Sequence, residues 1–492
     1  MVKNRGTVLT LFNKYCGPAI LAAAALLLVG NVTWADGNGK GNKGQGNKGN
    51  EAGDDRAVRL IDIVPIPGRA GVNATNGKLY SFDISWVDQD TQTYYLADRS
   101  NNAIDVVDAK TDTFIGFIPG GFAGVVISGT PPTVTTAVSG PNGVTSGGRC
   151  LFATDTAQTP SPHGRVVSFD LTTGFPPKIA GDVSTGGTAR ADELAFDPKD
   201  ALLLVINPNE TTPFGTFISV NTGNCGLTVK SRVLLDTAHG VDATGGAEQP
   251  VWDPDTGLFY VSIPNIGSNA IHGGVVSIPP NGTTWKVLGT GIDYCNPNGL
   301  AVGPKGDLFV GCSTVYNTAG AAWSSTGTVT AAPNDIIIDA KDGSINARVL
   351  GIGSGDEVWF NAGDGNYYAT GSGSPFRPTV YAATTPATPL TAQGSTPLGV
   401  VDAKDQKVLQ LVTTFNVPSV PPAAPILNNS TQHPAATAHS VAANSKNNHI
   451  FVPLGANNAF SAFASPVPGA KAAPDCETGC IAVFAHTDED KD

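Results

Sequence analysis

The stretch "SFDISWVDQDTQTYYLADRSNNAIDVVDAKTDTFIGFIPG" (residues 81–120) holds four short apolar runs, separated by turns rich in Asp, Asn, Thr and Gly. Aromatic and β-branched residues fill the runs and favour strands, whereas Asp, Asn and Gly supply turn conformations. Four antiparallel strands in about 40 residues are typical of one β-propeller blade. If the unit repeats, the chain is therefore a propeller.

The unit does repeat along the chain. Strand pairs of the same pattern recur at "NGVTSGGRCLFATD" (142–155), "DELAFDPKDALLLVIN" (192–207), "EQPVWDPDTGLFYVS" (248–262), "NGLAVGPKGDLFVGCS" (298–313), "DEVWFNAGDGNYYATG" (356–371) and "HSVAANSKNNHIFVPLG" (439–455). A third-strand element with the turn Asp-Ala-Lys recurs at "IDVVDAKTD" (104–112), "IIIDAKDGS" (336–344) and "VVDAKDQK" (400–407). Seven copies predict an all-β, seven-bladed β-propeller.

The last copy obtains its fourth strand from the other end of the chain. "GCIAVFAH" (479–486) supplies a third strand and is followed by an acidic tail, 487–492. "RLIDIVPIPG" (59–68) resembles the fourth strand of the first unit, "TFIGFIPG" (113–120). We expect the N-terminal strand to close a propeller that spans 57–486, because closure would satisfy the backbone groups of an open edge.

The first 56 residues predict export. Basic residues precede the apolar run "GPAILAAAALLLVG" (17–30), and small residues in "TWA" precede Asp36, so 1–35 read as a signal peptide. A retained membrane anchor is the alternative. The Gly/Asn/Lys-rich segment 36–56 predicts a disordered linker. We therefore expect a periplasmic or extracellular protein.

The composition agrees with this class of fold. In 492 residues there are 59 Gly and 36 Pro, and only 14% of residues are charged, as expected for many turns and few surface helices. The net charge of −12 disfavours a polyanionic partner, so no nucleic acid is expected.

Six cysteines remain once Cys16 is removed with the signal peptide, and an even number suits an oxidising compartment. Cys476 and Cys480, in "CETGC", predict a local disulfide. Metal ligation is the alternative, but no second Cys or His pair with zinc-site spacing accompanies them. Cys295 and Cys312 flank a predicted hairpin and could bridge it. Cys150 and Cys225 are then paired by elimination.

One polar residue precedes the first strand of every copy. The seven are Asp83, Asn142, Asp192, Glu248, Asn298, Asp356 and His439. The first strand of a propeller blade lines the channel, so they predict a polar ring at one channel mouth. Four carboxylates meeting there would repel one another unless something compensates, and a bound cation, with Ca²⁺ favoured, is the simplest compensation. The alternative is a hydrated ring with a structural role only.

The unit "YYLADRSNNAIDVVDAKTDTFIGFIPG" (94–120) resembles the seven-bladed propellers of the YVTN-repeat class, a resemblance that covers nearly the whole mature chain and implies fold rather than chemistry. "AEQPVWDPDTGLFYVS" (247–262) and "NPNGLAVGPKGDLFVG" (296–311) are similar to motifs of the gluconolactonase and senescence-marker-30 family, whose Glu and Asn bind a divalent metal. The similarity implies Glu248 and Asn298 as metal ligands, with Asp356 in the place of the family's Asp. That family has six blades, its Glu and Asn do not come from adjacent blades, and its Asp precedes a Gly where this chain has Glu357.

These residues predict a metal-dependent hydrolase of a lactone or small ester. A bound divalent ion would polarise a carbonyl and acidify a water, while His439 or Asp192 accepts the proton. A hydrogen-bonded channel histidine is the equal alternative for His439, and Arg190 would pair with Asp192 or clamp a substrate. Asp83 and Asn142 complete the ring. The competing hypothesis is a non-catalytic propeller that binds a small molecule or a partner protein.

Two insertions precede the last blade, at about 372–396 and 417–436, and both are rich in Pro and Ala. They would cover the channel mouth or form flexible surface.

Overall fold

The computed structural model describes residues 56–129, 133–158, 163–322, 334–350, 352–353, 355–370, 398–414, 432–433, 437–456, 476 and 478–487. The predicted signal peptide, residues 36–55 of the linker, the insertion 372–396, most of the insertion 417–436 and residues 488–492 lie outside these ranges.

The described residues form seven antiparallel sheets, each of which is one blade. The sheet that closes the ring takes its outer strand, β1 (Val58–Pro65), from the N-terminal end. Blade 1 contains β2 (Ser85–Asp88), β3 (Thr93–Asp98), β4 (Ala103–Asp108) and β5 (Thr113–Pro119), and it is followed by the small hairpin β6 (Ile127–Ser128) and β7 (Thr133–Val134). Blade 2 contains β8 (Val144–Gly147), β9 (Cys150–Ala157), β10 (His163–Asp170) and β11 (Lys178–Ser184).

The next three blades follow the same order. Blade 3 contains β12 (Leu194–Asp197), β13 (Leu202–Asn207), β14 (Phe214–Asn221) and β15 (Gly226–Leu234). Blade 4 contains β16 (Pro250–Asp253), β17 (Leu258–Ile263), β18 (His272–Ile278), β19 (Lys286–Val287) and β20 (Ile292–Asp293). Blade 5 contains β21 (Cys295–Val302), β22 (Asp307–Val315), β23 (Asn334–Asp339) and β24 (Ile345–Leu350).

In the sequence, the insertion 372–396 falls between the second and third strands of blade 6, and the insertion 417–436 falls between the fourth strand of that blade and the first strand of blade 7. Blade 6 contains β25 (Val358–Asn361), β26 (Asn366–Thr370), β27 (Leu398–Asp402), β28 (Lys407–Thr414) and the parallel strand β29 (Gln432–His433). Blade 7 contains β30 (Thr437–Ala438), β31 (Ala442–Asn444), β32 (His449–Gly455), β33 (Cys480–His486) and β1. Short 3₁₀ turns lie at Thr136–Val138, Leu171–Thr173, Thr237–His239 and Pro304–Gly306.

The seven inner strands form a closed ring. In cyclic order β2, β8, β12, β16, β21, β25 and β31 each contact the next, and β31 contacts β2 again. The predicted seven-bladed β-propeller is therefore confirmed. β1 pairs antiparallel with β33 from Val58 opposite His486 to Pro65 opposite Cys480, so the predicted closure by the N-terminal strand is also observed.

The Asp-Ala-Lys elements form the predicted turns between third and fourth strands. In each, the Asp carboxylate accepts a hydrogen bond from the backbone N–H two residues later, at 2.8 Å for Asp108, 2.7 Å for Asp339 and 2.8 Å for Asp402. This side-chain contact imitates a backbone turn, which is why Asp is favoured there.

The outer strands share a β-bulge. In six blades the register slips by one residue between the third and fourth strands, and the extra residues are Ile61, Ile115, Ala180, Lys230, Asn346 and Leu409. A bulge bends its strand and increases its twist, so it allows each outer strand to curve around the widening blade.

The hydrophobic core lies between neighbouring blades rather than at the centre. One cluster joins blades 6, 7 and 1, and five others join the remaining pairs of neighbours. Trp86 and Trp359 pack edge to face at 5.2 Å, and Trp252 packs on Phe259 at 4.8 Å. The tryptophans thus pack within and between blades, which leaves polar side chains to line the channel mouth.

All three predicted disulfides are present. Cys150–Cys225 links blade 2 to blade 3, and Cys295–Cys312 links the first two strands of blade 5. Cys476–Cys480 lies at the start of β33 in blade 7. Three disulfides indicate an oxidising, exported environment. Among the described residues, no helix has the length and apolar character that crossing a bilayer requires.

Candidate functional site at the channel mouth

The ring residues occupy equivalent positions at the entrance to the inner strands. In four blades the backbone N–H of the ring residue donates to a carbonyl of the second strand at 2.8–3.0 Å; these residues are Asp83, Asn142, Asp192 and Glu248. This shared hydrogen bond fixes the backbone at these ring positions. Side chains from several blades then meet, as contacts between blade 1 and blades 2, 3 and 7 show.

Arg99 is a member of this site that the sequence analysis missed. Its Nη2 forms an ion pair with Asp83 and donates to Asn142 Oδ1 at 2.8 Å, and its Nε donates to the same oxygen at 3.0 Å. Arg99 lies in the β3–β4 turn, "DRSNN", and not before an inner strand, so the repeat alignment gives no signal for it.

Arg190 bridges two ring carboxylates. Its Nη2 lies 2.6 Å from Asp192 Oδ2, which confirms the predicted pairing, and its Nη1 lies 3.5 Å from Asp83 Oδ2. Its Nε donates to Asn209 Oδ1 at 2.9 Å. Burial raises the pKa of Asp192 to about 7, even though Arg190 acts in the opposite direction. Asp192 is therefore poised to exchange a proton near neutral pH.

His439 is held between two carboxylates. Its Nε2 lies 2.8 Å from Asp83 Oδ1 and 2.9 Å from Asp356 Oδ2. Burial opposes the charged imidazole, but Asp356 and then Asp83 outweigh it and raise the pKa of His439 to about 10. Burial likewise opposes charge on Asp356, yet His439 and Arg190 hold its pKa below the ordinary range. At neutral pH His439 is thus a cation and a hydrogen-bond donor.

The ring divides into two halves. The closed half contains Asp83, Asn142 and Asp192 with Arg99 and Arg190, and the side chains of Asp83, Asp192 and Arg99 are each 4% exposed. The open half contains Glu248, Asn298, Asp356 and His439, and the side chains of Asp356 and His439 are 29% and 21% exposed. Solvent therefore reaches the ring mainly at Asp356 and His439, whereas Asn298 beside them is buried.

The open half holds the residues that the sequence assigned to a metal. Asn298 Nδ2 donates to Asp356 Oδ1 at 2.9 Å, while Ser313 Oγ donates to Asn298 Oδ1 at 2.6 Å. Glu248 is half-buried, and its carboxyl group makes no hydrogen bond within the described part of the chain. Burial, followed by the charges of Asp356 and Asp192, raises the pKa of Glu248 well above its ordinary value.

Cationic side chains of the protein neutralise most of the carboxylate charge for which the sequence predicted a bound ion. Arg99, Arg190 and protonated His439 face four ring carboxylates. Three side chains other than the predicted ligand set could hold a metal ion. They are Asp83, Asp356 and His439, whose potential ligand atoms lie within 4.8 Å of one another. An ion there would compete with the proton of His439 and with the arginine that pairs with Asp83. The chemistry of the mouth is that of a nearly neutral polar cluster.

A second layer of polar side chains lies one residue after the ring position in four of the seven blades, at Glu193, Gln249, Glu357 and Ser440. Three of them accept a hydrogen bond from a backbone N–H in the next blade: Gln249 from Leu300 at 2.7 Å, Glu357 from Val441 at 3.2 Å and Ser440 from Ser85 at 2.8 Å. Burial raises the pKa of Glu357 to about 8, although the hydroxyl of Ser440 partly offsets it. These side chains tie neighbouring inner strands together.

Comparison with known proteins adds similarity of fold. No protein-family model and no curated protein matches this chain. Similar solved structures include the β-propeller domain of Myceliophteria thermophila Cps50 (Swd1), which is 9% identical over 88% of this chain and 100% of that one, with a TM-score of 0.48. Kuenenia stuttgartiensis hydrazine synthase is 13% identical over 82% and 99%, with a TM-score of 0.48. The WD40 β-propeller domain of Doa1 is 12% identical over 87% and 97%, with a TM-score of 0.45.

Proposed function

We propose that this protein is an exported, non-catalytic β-propeller that binds a small polar molecule at the open half of the channel mouth. The observation that carries the proposal is the contrast between the halves. The carboxylates of the closed half are bound by arginines and 4% exposed, whereas Asp356 and His439 are several times more exposed. A ligand can therefore reach polar groups that are already held in place.

The chemistry of the open half suggests the character of the ligand. Glu248 and Asp356 offer oxygen acceptors, and protonated His439 supplies a positive charge beside Asp356. Because the ring charges nearly cancel, a strongly anionic or polycationic ligand is not favoured. Fixed polar groups lower the cost of ordering a site on binding, so a small ligand can be recognised through few contacts.

The test is a thermal-shift screen of small polar metabolites against the exported form of the protein, followed by calorimetric titration of each compound that raises the melting temperature. Glu248→Gln is the decisive variant, because this carboxyl group has no hydrogen bond to lose and the fold should persist. Asp182→Asn is the matched control, since Asp182 is an exposed acid outside the ring. We expect ligands to stabilise the wild type and the control, and to stabilise Glu248→Gln less. Equal stabilisation of all three would contradict the proposal, and so would a screen without any ligand.

The second candidate is the metal-dependent lactone or ester hydrolase. The compact group of Asp83, Asp356 and His439 favours it, as does Asp192, whose pKa of about 7 suits a general base. Calcium bound by Glu248, Asn298 and Asp356 would polarise the substrate carbonyl.

The donors fit calcium only in part, because the oxygen of Asn298 is turned towards Ser313. Metal analysis and the melting temperature before and after chelation decide this candidate. One divalent ion per chain, lost in Glu248→Ala, would favour it. A metal-free protein whose melting temperature is indifferent to the chelator would exclude it.

A further inference from the structure

The second layer contains one position that breaks its pattern. Gln249 and Glu357 each accept a hydrogen bond from a backbone N–H of the next blade. The donor is the residue two places after the ring residue of that next blade. Glu193 occupies the same position in blade 3, directly after Asp192. The residue that should donate to it in blade 4 is Pro250, which has no N–H.

Glu193 is consequently a buried acid for which the described residues supply no donor. The residue is 4% exposed, and its Oε2 is fully enclosed without a hydrogen-bond partner. Buried polar groups in folded proteins are nearly always hydrogen-bonded, so an orphaned carboxyl oxygen indicates a partner that the chain itself does not supply.

A second carboxyl group without a donor lies nearby. Glu248 is the ring residue of the neighbouring blade 4, and the inner strands that follow Glu193 and Glu248, β12 and β16, contact each other. Arg99 and Arg190 make their hydrogen bonds and close ion pairs elsewhere, with Asp83, Asn142, Asp192 and Asn209. The side of the channel between blades 3 and 4 therefore offers acceptors that no donor in the described part of the chain satisfies.

We propose that this side of the channel binds the primary ammonium group of a small organic amine between Glu193 and Glu248. The inference rests on the proposed ligand-binding function and specifies its ligand class. An ammonium group carries a positive charge and three N–H donors, which match two carboxyl groups without donors. A bare metal ion suits this position less. Within the described residues, the acidic and histidine group compact enough to hold a metal is Asp83, Asp356 and His439, and it includes neither Glu193 nor Glu248.

The experiment is calorimetric titration with n-butylamine hydrochloride, tetramethylammonium chloride and calcium chloride. Tetramethylammonium carries the same charge as butylammonium but has no N–H donor, so it separates hydrogen bonding from charge. We expect butylammonium to bind at least about tenfold more tightly than tetramethylammonium, since buried carboxyl groups left without donors are costly. Comparable binding of the two would overturn the proposal, and so would a preference for calcium.

Two variants test the position of the site. Glu193→Gln removes the charge with little change in shape, and Pro250→Ala restores the backbone N–H that Glu193 lacks. Both should weaken butylammonium binding about tenfold, and Pro250→Ala should also raise the melting temperature of the free protein. Glu357→Gln is the matched control in the same layer and should leave the affinity unchanged.

The outcomes separate the two proposals. If amines fail to bind while a neutral ligand from the screen still depends on Glu248, the amine proposal is wrong and the binding function stands. If amines bind equally to wild type and Glu193→Gln, the position assigned here is wrong. If nothing binds at the open half, both proposals fail.

Discussion

Replacing Arg99 with Met should destabilise the propeller by about 3–5 kcal/mol, a typical cost of breaking a buried ion pair from one side. The structure supports this magnitude. The substitution removes the ion pair with Asp83 and leaves Asn142 Oδ1 without its two guanidinium donors. An unsatisfied buried acceptor costs about 1–3 kcal/mol, and the loss at Asp83 adds to it. His439 and Arg190 remain near Asp83, so the cost stays below that of a wholly isolated charge.

Equilibrium unfolding in urea, with the disulfides intact, measures this difference. Lys407→Met is the matched control, because Lys407 and Asp405 form an ion pair of 2.7 Å whose side chains are 53% and 50% exposed. Exposed pairs contribute about 0–1 kcal/mol, so the control should be nearly neutral. Asp83→Asn combined with Arg99→Met should cost less than the sum of the single variants, since the two residues interact. A loss below about 1 kcal/mol for Arg99→Met would refute the view that arginines, rather than a bound ion, stabilise the closed half.

Three further predictions concern charge and crosslinking. Folding raises the pKa of His439 from 6.5 to about 10, so its contribution to stability should be complete below pH 6.5 and lost as the pH rises through 10; His439→Gln should remove that part of the pH dependence in urea titrations. Folding also raises the pKa of Glu357 from 4.5 to about 8, so the native state binds more protons between these values and loses stability as the pH rises; Glu357→Gln should flatten the decline, and an unchanged slope would contradict the assignment. Replacing Cys150 and Cys225 with Ala should cost about 4 kcal/mol, against about 2 kcal/mol for Cys476 and Cys480, because the loops they close span 75 and 4 residues; equal losses in calorimetry would contradict the loop-entropy argument.

The repeat made the architecture predictable from sequence. Turn-forming Asp residues and apolar runs recur along the chain, and the structure uses them as predicted, as the side-chain turn at Asp108 shows. The polar ring was also predictable from the sequence, because the residue before each inner strand must lie near the channel. Closure by β1 was predictable because the last copy lacks a fourth strand and the N-terminal segment resembles the fourth strand of the first copy.

The electrostatics of the ring were less predictable from the sequence. Arg99 comes from the turn between the second and third strands of blade 1 and reaches the ring only through the fold, so the list of ring positions omitted its charge. His439 was weighed as a base, but two neighbouring carboxylates keep it protonated at neutral pH. The importance of Glu193 depends on a proline in a different blade, a relation between blades that no local pattern displays.

The pairing of β1 with β33 makes closure of the ring a contact between distant parts of the chain. Val58 and His486 meet in one sheet, although the strands of six other blades lie between them in the sequence. Closing so long a loop adds an entropic cost, so this pairing should be slower to form than the hairpins within each blade. A strand without its partner presents an unpaired backbone edge, which is the feature most prone to pairing with other chains. Closure of the ring therefore also protects the chain against aggregation.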